Sequence, residues 1–151
     1  MRLTQHTDYA LRVLIHVGLK RGGTSTIREI AESYGISRNH LMKVAHELGK
    51  LGLIVPTRGR GGGLALAAPP ESLNVGDVVR QMEESFALVE CFKGADNTCP
   101  LAGLCRLERA LGHALQAFLN ALDGLTVADL LSNQAALADR LGIAPASGDP
   151  A

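Results

Sequence analysis

Two short helical segments separated by one glycine constrain the fold of this chain more than any other feature. Apolar residues recur at helical spacing over residues 27–34 and again over 38–51. Thr26 stands at the N-cap position of the first segment, Gly35 separates the two, and Gly52 ends the second. Two helices joined by a short turn that contains glycine predict a helix-turn-helix.

The segment that follows the second helix predicts a β-hairpin. A short β run at 53–55 leads into a turn rich in glycine and arginine at 56–63, and a second β run follows at 64–66. A hairpin placed directly after a recognition helix is the wing of a winged helix. The predicted fold is therefore mainly α, with a winged helix-turn-helix DNA-binding domain.

Helical periodicity extends well beyond this motif. It predicts helices at about 3–20, 75–84, 106–122 and 127–132. The helix at 106–122 carries an apolar stripe that a monomer of this size has little core to bury, so we expect a long dimerisation helix. The expected organisation is a DNA-binding domain at 1–70, a loop that contains three cysteines with the dimerisation helix at 71–133, and a partly disordered C-terminal tail at 134–151.

The net charge of zero hides an asymmetry between the two ends of the chain. Residues 1–63 carry ten basic and four acidic residues, whereas residues 64–151 carry five basic and eleven acidic ones. A basic front part is typical of a nucleic-acid face. The chain contains no apolar run long enough for a membrane span and no signal-peptide pattern, so we expect a cytoplasmic protein without a membrane partner. No catalytic constellation is found, and an enzyme is not expected.

Short polar and basic side chains at the start of the second helix and at the wing tip are the candidate DNA contacts. A recognition helix presents such side chains to base edges and phosphates, and arginines on a glycine turn suit a narrow minor groove. No Gly-Lys-Ser/Thr follows the glycines, which argues against a nucleotide-binding loop. The candidate DNA-binding residues are Ser37, Arg38, Asn39, His40, Lys43, Arg58, Arg60 and Gly62.

Three cysteines lie within one loop, at Cys91, Cys99 and Cys105, with the spacing C-x7-C-x5-C. A triad of thiolates in a flexible loop can wrap an iron–sulfur cluster, which usually needs a fourth ligand from elsewhere. Structural zinc prefers C-x2–4-C pairs and a redox dithiol prefers C-x-x-C, and both patterns are absent. Zinc, thiol chemistry and incidental cysteines therefore stay open as alternatives.

Taken together, these segments resemble the family of small winged-helix iron–sulfur repressors, and its nitric-oxide-sensing branch in particular. The resemblance covers about residues 1–133. It rests on LTQHTDYALRVLIHV, YGISRNHLMKVAHELGKLGLIVPTRGRGGGLALA, NVGDVVRQME and CFKGADNTCPLAGLCRLERAL. It implies a homodimer that crosses its long helices and binds double-stranded palindromic operator DNA, with nitric oxide as the signal.

The resemblance also implies the ligands of a 4Fe-4S cluster. The three loop cysteines of one subunit would be joined by Asp8 on the first helix of the partner subunit. Arg12 lies four residues after Asp8, so an ion pair within the helix is expected there and could couple the site to the helix.

Other members of the family differ at these positions. The regulator of iron–sulfur assembly, which holds a 2Fe-2S cluster, spaces its cysteines C-x5-C-x5-C and places a histidine where this chain has Glu108. A redox-sensing member uses a Glu on the first helix and a His on the second, where this chain has Asp8 and Ser33. Both departures favour the nitric-oxide branch, although the x7 spacing also differs from the x5 of some sensors in that branch.

The expected function is a repressor that releases promoter DNA of nitrosative-stress genes when nitric oxide attacks the cluster. An iron–sulfur assembly or redox-sensing regulator of the same family is one alternative. A winged-helix repressor that senses thiol oxidation without a cluster is another. An electron-transfer protein would explain the cysteine loop but would leave the recognition helix and wing unexplained.

Overall fold

The computed structural model describes residues 2–20, 22–59 and 62–144. These ranges form seven α-helices and one two-stranded sheet, in the order α1 (Gln5–Leu19), α2 (Ile27–Tyr34), α3 (Arg38–Lys50), β1 (Ile54–Thr57), β2 (Gly63–Leu66), α4 (Val75–Met82), α5 (Arg106–Asp123), α6 (Val127–Leu130) and α7 (Gln134–Leu141). Single 3-10 turns occur at Pro70–Ser72, Glu90–Phe92 and Gly94–Asp96. No helix in the described ranges is long and apolar enough to cross a membrane.

The helix-turn-helix forms where the cap residues predict it. Thr26 and Glu29 make a full capping box at the start of α2, in which each side chain accepts from the other residue's backbone N–H. Gly35 ends α2 with a φ of 64°, a left-handed conformation that glycine adopts without steric cost. Ser37 occupies the N-cap position of α3, but its side chain makes no capping hydrogen bond, so the Ser37 hydroxyl is not used as a cap.

The wing follows α3 directly. Strands β1 and β2 pair antiparallel, with Ile54 opposite Leu66 and Thr57 opposite Gly63. Ser25, which precedes α2, forms an isolated bridge with Leu64 and so joins the wing to the helical part. The prediction of a winged helix-turn-helix is confirmed.

Helix α1 forms the centre of the hydrophobic core. One face of α1 is almost completely buried, with Ala10, Val13 and Leu14 at 0% exposure. The buried faces of α2, α3, α4 and α6 pack in the same cluster, which includes Leu41, Leu48, Val78 and Val127 among its members. Helix α1, which carries Asp8, is thereby packed in one core with the recognition helix α3.

Helix α7 was not predicted from the sequence. Gln134 at its start donates to the backbone oxygen of Leu19 at 3.3 Å, and the Ser33 hydroxyl donates to the backbone oxygen of Leu141 at 2.9 Å. Ile143 is buried in the core. The first part of the segment at 134–151 is therefore attached to α1 and α2, and residues 145–151 lie outside the described residues.

Helix α5 is the longest helix, and none of its residues is buried in the single chain. An ion pair attaches its end to α4, because the Arg80 guanidinium donates to both carboxylate oxygens of Asp123. Leu107 on α5 is 63% exposed, and Leu104 just before it is 84% exposed. An exposed apolar surface is therefore available on α5 for its proposed role as the dimerisation helix.

Candidate functional site

The first two turns of α3 present a polar surface. Ser37, Arg38, Asn39, His40 and Lys43 are all exposed, whereas the opposite face of the helix is buried. Every predicted DNA-binding residue of this helix is therefore accessible. The structure keeps them on one surface because apolar residues at helical spacing anchor the other side in the core.

Arg38 is only loosely held in the free protein. Its Nη2 lies 3.7 Å from Oε1 of Glu32, and both side chains are more than 60% exposed. Arg28 approaches the same carboxylate oxygen at 3.6 Å. An exposed ion pair of this kind contributes little to the free energy of folding, so Arg38 can exchange Glu32 for another partner at low cost.

The turn of the wing depends on Thr57 and Gly62. The Thr57 hydroxyl donates to the backbone oxygen of Gly63 at 3.2 Å and accepts from its N–H at 3.0 Å. A Cβ atom on Gly62 would lie 2.5 Å from the backbone oxygen of Thr57. Arg58 is exposed at the tip, and Arg60 lies outside the described residues.

Asp8 and Arg12 form the predicted ion pair on α1. Arg12 Nε donates to Asp8 Oδ1 at 3.2 Å, and Arg12 Nη2 lies 2.8 Å from Asp8 Oδ2. The guanidinium also lies 5.8 Å from the ring centroid of Tyr9 and 5.7 Å from that of Tyr34. The carboxylate of Asp8 is therefore oriented by a guanidinium that is itself held between two rings.

A second carboxylate fixes the start of α1. Glu83, at the end of α4, accepts from the backbone N–H of Thr4 and from the hydroxyls of Thr4 and Thr7. Thr7 is fully buried. Glu83 also begins the segment that leads to the first cysteine, so this contact joins the helix of Asp8 to the cysteine loop.

The cysteine loop is held by its own polar contacts. Glu90 accepts from the N–H and the hydroxyl of Thr98, and these hydrogen bonds hold the pKa of its carboxyl below the usual range. Asn97 accepts from the Cys99 N–H at 2.9 Å, and Glu108 on α5 accepts from the Gly103 N–H at 2.8 Å. These contacts close the loop on itself between Glu90 and Thr98 and join its end to the first turn of α5.

All three thiols are free and half-buried. Burial raises the pKa of the Cys91 thiol, and the nearby Glu108 carboxylate, Cys99 and Cys105 raise it further. Three free thiols in one loop fit the donor set of an iron–sulfur cluster in residue type and number. Within the described ranges, however, no three His, Cys, Asp or Glu side chains are arranged as a complete metal site.

A buried histidine joins three elements behind the recognition helix. His16 is 1% exposed, with Nδ1 2.9 Å from the Ser25 hydroxyl and Nε2 3.3 Å from the Ser33 hydroxyl. Burial and the neighbouring Lys20 together lower the pKa of His16 to about 4, against a smaller opposing effect of Glu29. His16 is therefore neutral at physiological pH and acts as a structural hydrogen-bonding group.

Three residues that support the candidate site were not identified from the sequence. They are Tyr9, Tyr34 and Glu83, which hold Arg12 and the start of α1. Tyr9 lies three residues before Arg12, a helical spacing that could have indicated the contact. The contacts made by Tyr34 and Glu83 join distant parts of the chain, and no local pattern indicates them.

The solved structures support the fold. The structure of CymR (YrzC), the global cysteine regulator of Bacillus subtilis, superimposes with a TM-score of 0.73 at 24% sequence identity. The match covers 88% of this chain and 98% of that one.

Two regulators of transcription are similar to this chain over most of its length. The HTH-type transcriptional regulator NsrR of Bacillus licheniformis is 50% identical over 135 residues, which cover 89% of this chain and 94% of the relative. The regulator of the same name from Bacillus subtilis is 49% identical and covered to 92%. The family model described as "Rrf2: Iron-dependent Transcriptional regulator" matches residues 3–133. The chain therefore belongs to the Rrf2 family and is a DNA-binding transcriptional regulator, not an enzyme.

Proposed function

We propose that this chain is a homodimeric repressor that holds a 4Fe-4S cluster and releases promoter DNA in response to nitric oxide. The observation that carries the proposal is the group of free, half-buried thiols at Cys91, Cys99 and Cys105, which one loop of the chain supplies. Thiolates are the usual ligands of such clusters. The iron-dependent description of the family and the relatives named NsrR support the same function.

The chain's own residues supply the ligands in this proposal. Cys91, Cys99 and Cys105 of one subunit would hold three irons, and Asp8 of the partner subunit would hold the fourth. When bound, the cluster supplies iron sites with which nitric oxide reacts. Arg12 orients the Asp8 carboxylate through its two contacts with the carboxylate oxygens.

The same residues connect the ligand site to DNA. Asp8 lies in the first turn of α1, and α1 packs in the core against α3. Release of Asp8 frees the first turn of α1 from the partner subunit. The orientation of the two recognition helices then changes, which alters their fit to adjacent major grooves of a palindromic operator.

The proposed DNA contacts are the polar residues of α3 and of the wing. Arg38 and Asn39 would contact base edges, and Ser37 and Lys43 would contact phosphates. His40 would contact a further base edge, and Arg58, Arg60 and Gly62 would bring the wing to the minor groove. The exposed apolar surface of α5 supports a second copy of the chain as its partner.

The experiment that tests this function is a nitric oxide titration of protein purified without air. Absorption spectra and the binding of labelled operator DNA are measured on the same samples. We expect a broad brown absorption band that bleaches stepwise, with DNA affinity falling over the same range of nitric oxide. A colourless protein that still binds DNA would contradict the presence of a cluster and would indicate thiol or zinc chemistry for the cysteines.

The role of Asp8 is tested by the same titration on Asp8→Ala. We expect the operator affinity of this variant to respond less to nitric oxide than that of the wild type. Asp139→Ala, which removes an exposed carboxylate from α7, is the matched control and should respond normally. An Asp8→Ala dimer that represses and responds like the wild type would exclude the coupling role.

A further inference from the structure

A small groove lies between the first turn of α1 and the recognition helix α3. Its volume is about 210 Å³, and it is lined by Gln5, His6 and Tyr9 from α1 and by His40, Lys43 and Val44 from α3. Only the α3 wall belongs to the helix-turn-helix. Gln5 and His6 on the α1 wall have no role in the function described so far, and Tyr9 has been placed only against Arg12.

The lining of this groove suits an anion. Lys43 contributes an ammonium group, Gln5 an amide, and His6 an imidazole that can donate a hydrogen bond. No carboxylate is among the lining residues. A phosphate group, with its several acceptor oxygens, matches this set of donors better than any cationic or apolar ligand.

An aromatic contact fixes the geometry of the groove. The ring of Tyr9 lies 6.3 Å from the ring of His40, at an interplanar angle of 40°. Tyr9 itself packs against the hydrophobic core, as does the buried Val44 on the opposite wall. The polar side chains are therefore presented from a rigid apolar floor.

The position of the groove identifies the source of the phosphate. His40 and Lys43 follow Arg38 and Asn39 on the same exposed surface of α3. When a recognition helix enters the major groove, polar side chains at its edge contact phosphates of the DNA backbone. Because Lys43, the proposed phosphate contact of α3, shares the groove with Gln5 and His6, the α1 wall lies beside a backbone contact.

We propose that this groove binds one phosphate of the DNA backbone, with Gln5 and His6 as contacts contributed by α1. The inference rests on the DNA-binding function and adds to it a site outside the helix-turn-helix and the wing. Tyr9 lies at the floor of the groove and packs against the core. Because a phosphate carries no sequence information, the contact would strengthen binding to all DNA equally.

The test changes the charge of the groove at Gln5, which is exposed. Gln5→Glu places a carboxylate beside the phosphate, and Gln5→Lys places an ammonium there. A glutamate in the first turn of a helix is favourable for the helix, so Gln5→Glu should fold normally. Thermal melting of each variant checks this.

The probes are a labelled operator duplex selected in vitro with the wild-type protein and a labelled duplex of random sequence. We expect Gln5→Glu to weaken the binding of both by a similar factor of about five to ten. We expect Gln5→Lys to strengthen both and to steepen the dependence of log affinity on log salt concentration by about 0.9. Gln81→Glu and Gln81→Lys make the same charge changes on the exposed surface of α4, outside the groove, and are the matched controls.

Three outcomes would overturn the inference. Equal effects at Gln5 and Gln81 would mean that only the total charge matters. A loss confined to the operator duplex would assign Gln5 to base recognition instead of a phosphate. A wild-type protein that enriched no duplex in the selection and bound no random DNA would overturn the DNA-binding function as well, and this result is distinguishable from the other two.

Discussion

Arg12 contacts Asp8 through two nitrogen atoms, with Nη2 only 2.8 Å from Oδ2 of the carboxylate. The flanking rings belong to Tyr9 and Tyr34, which are the two tyrosines of the whole chain. A planar guanidinium can pair with a carboxylate through two N–H groups and stack on aromatic rings at the same time. An ammonium group can do neither in this geometry. The identity of the cation at this position therefore matters more than its charge.

We expect Arg12→Lys to lower the free energy of unfolding by about 1 kcal/mol, because the ring contacts and the bidentate geometry are lost while the charge remains. Urea denaturation of the two proteins measures the difference. Arg28→Lys is the matched control, since Arg28 forms an exposed pair with Glu32 at 3.6 Å and should change stability by less than about 0.5 kcal/mol. Equal effects of the two variants would contradict the role given to the rings.

We expect Arg38→Ala to weaken operator binding by about 1–3 kcal/mol, the range for loss of a bidentate contact to a base. Competition between operator and random DNA measures the change in specificity. Arg28→Ala removes the other arginine beside Glu32 but lies on α2, outside the recognition helix. It should leave specificity unchanged, and an equal loss in both variants would exclude Arg38 as a reading residue.

We expect Gly62→Ala to weaken binding to DNA, because its Cβ atom would lie 2.5 Å from the backbone oxygen of Thr57 and the wing would have to open. Fluorescence anisotropy with operator DNA measures the effect. Gly49→Ala is the control. Gly49 lies within α3, and a Cβ atom added there would have no contact within 4 Å beyond the nearby backbone of its own helix. That variant should bind normally and gain up to about 1 kcal/mol of stability from its higher helix propensity.

We expect stability to fall as the pH is lowered from about 6.5 to about 4, because His16 remains neutral when folded but takes up a proton when unfolded. The folded pKa is lower than the unfolded one, so the unfolded state binds more protons in this window and is favoured there. The slope from one such group approaches about 1.4 kcal/mol per pH unit.

Denaturant unfolding across this pH range tests the prediction, with His16→Gln as the comparison. The variant should be less stable at neutral pH because a buried hydrogen-bonding ring is lost. Its stability should also depend less on pH between about 6.5 and 4. Parallel pH profiles for the two proteins would show that His16 does not titrate on unfolding.

Local signals predicted the winged helix almost residue for residue. Thr26 and Glu29 form the capping box that their spacing indicates, and Gly35 ends α2 in a left-handed conformation. The Asp8–Arg12 pair was also predicted, because residues four apart on a helix are neighbours. Each of these features depends on residues within one turn of one another.

Long-range contacts account for what the sequence did not indicate. Helix α7 has no side-chain cap at Asn133, and its contacts are made with Leu19 and Ser33, more than 100 residues away. The groove beside Tyr9 exists because two helices cross, and the spacing along either helix says nothing about the other. The sequence places all three cysteines in one loop, and their joint role as cluster ligands stays a prediction.

Helix α1 is anchored at both of its ends. It contains 15 residues and so extends about 22 Å. Its first turn is held by Glu83, and its last residue, Leu19, accepts a hydrogen bond from α7. A rigid rod of this length that tilts by about 5° at one end displaces its other end by about 2 Å, which exceeds the tolerance of a hydrogen bond. If Asp8 is the proposed cluster ligand, a tilt of this size on its release would move the far end of α1 by more than a hydrogen bond tolerates.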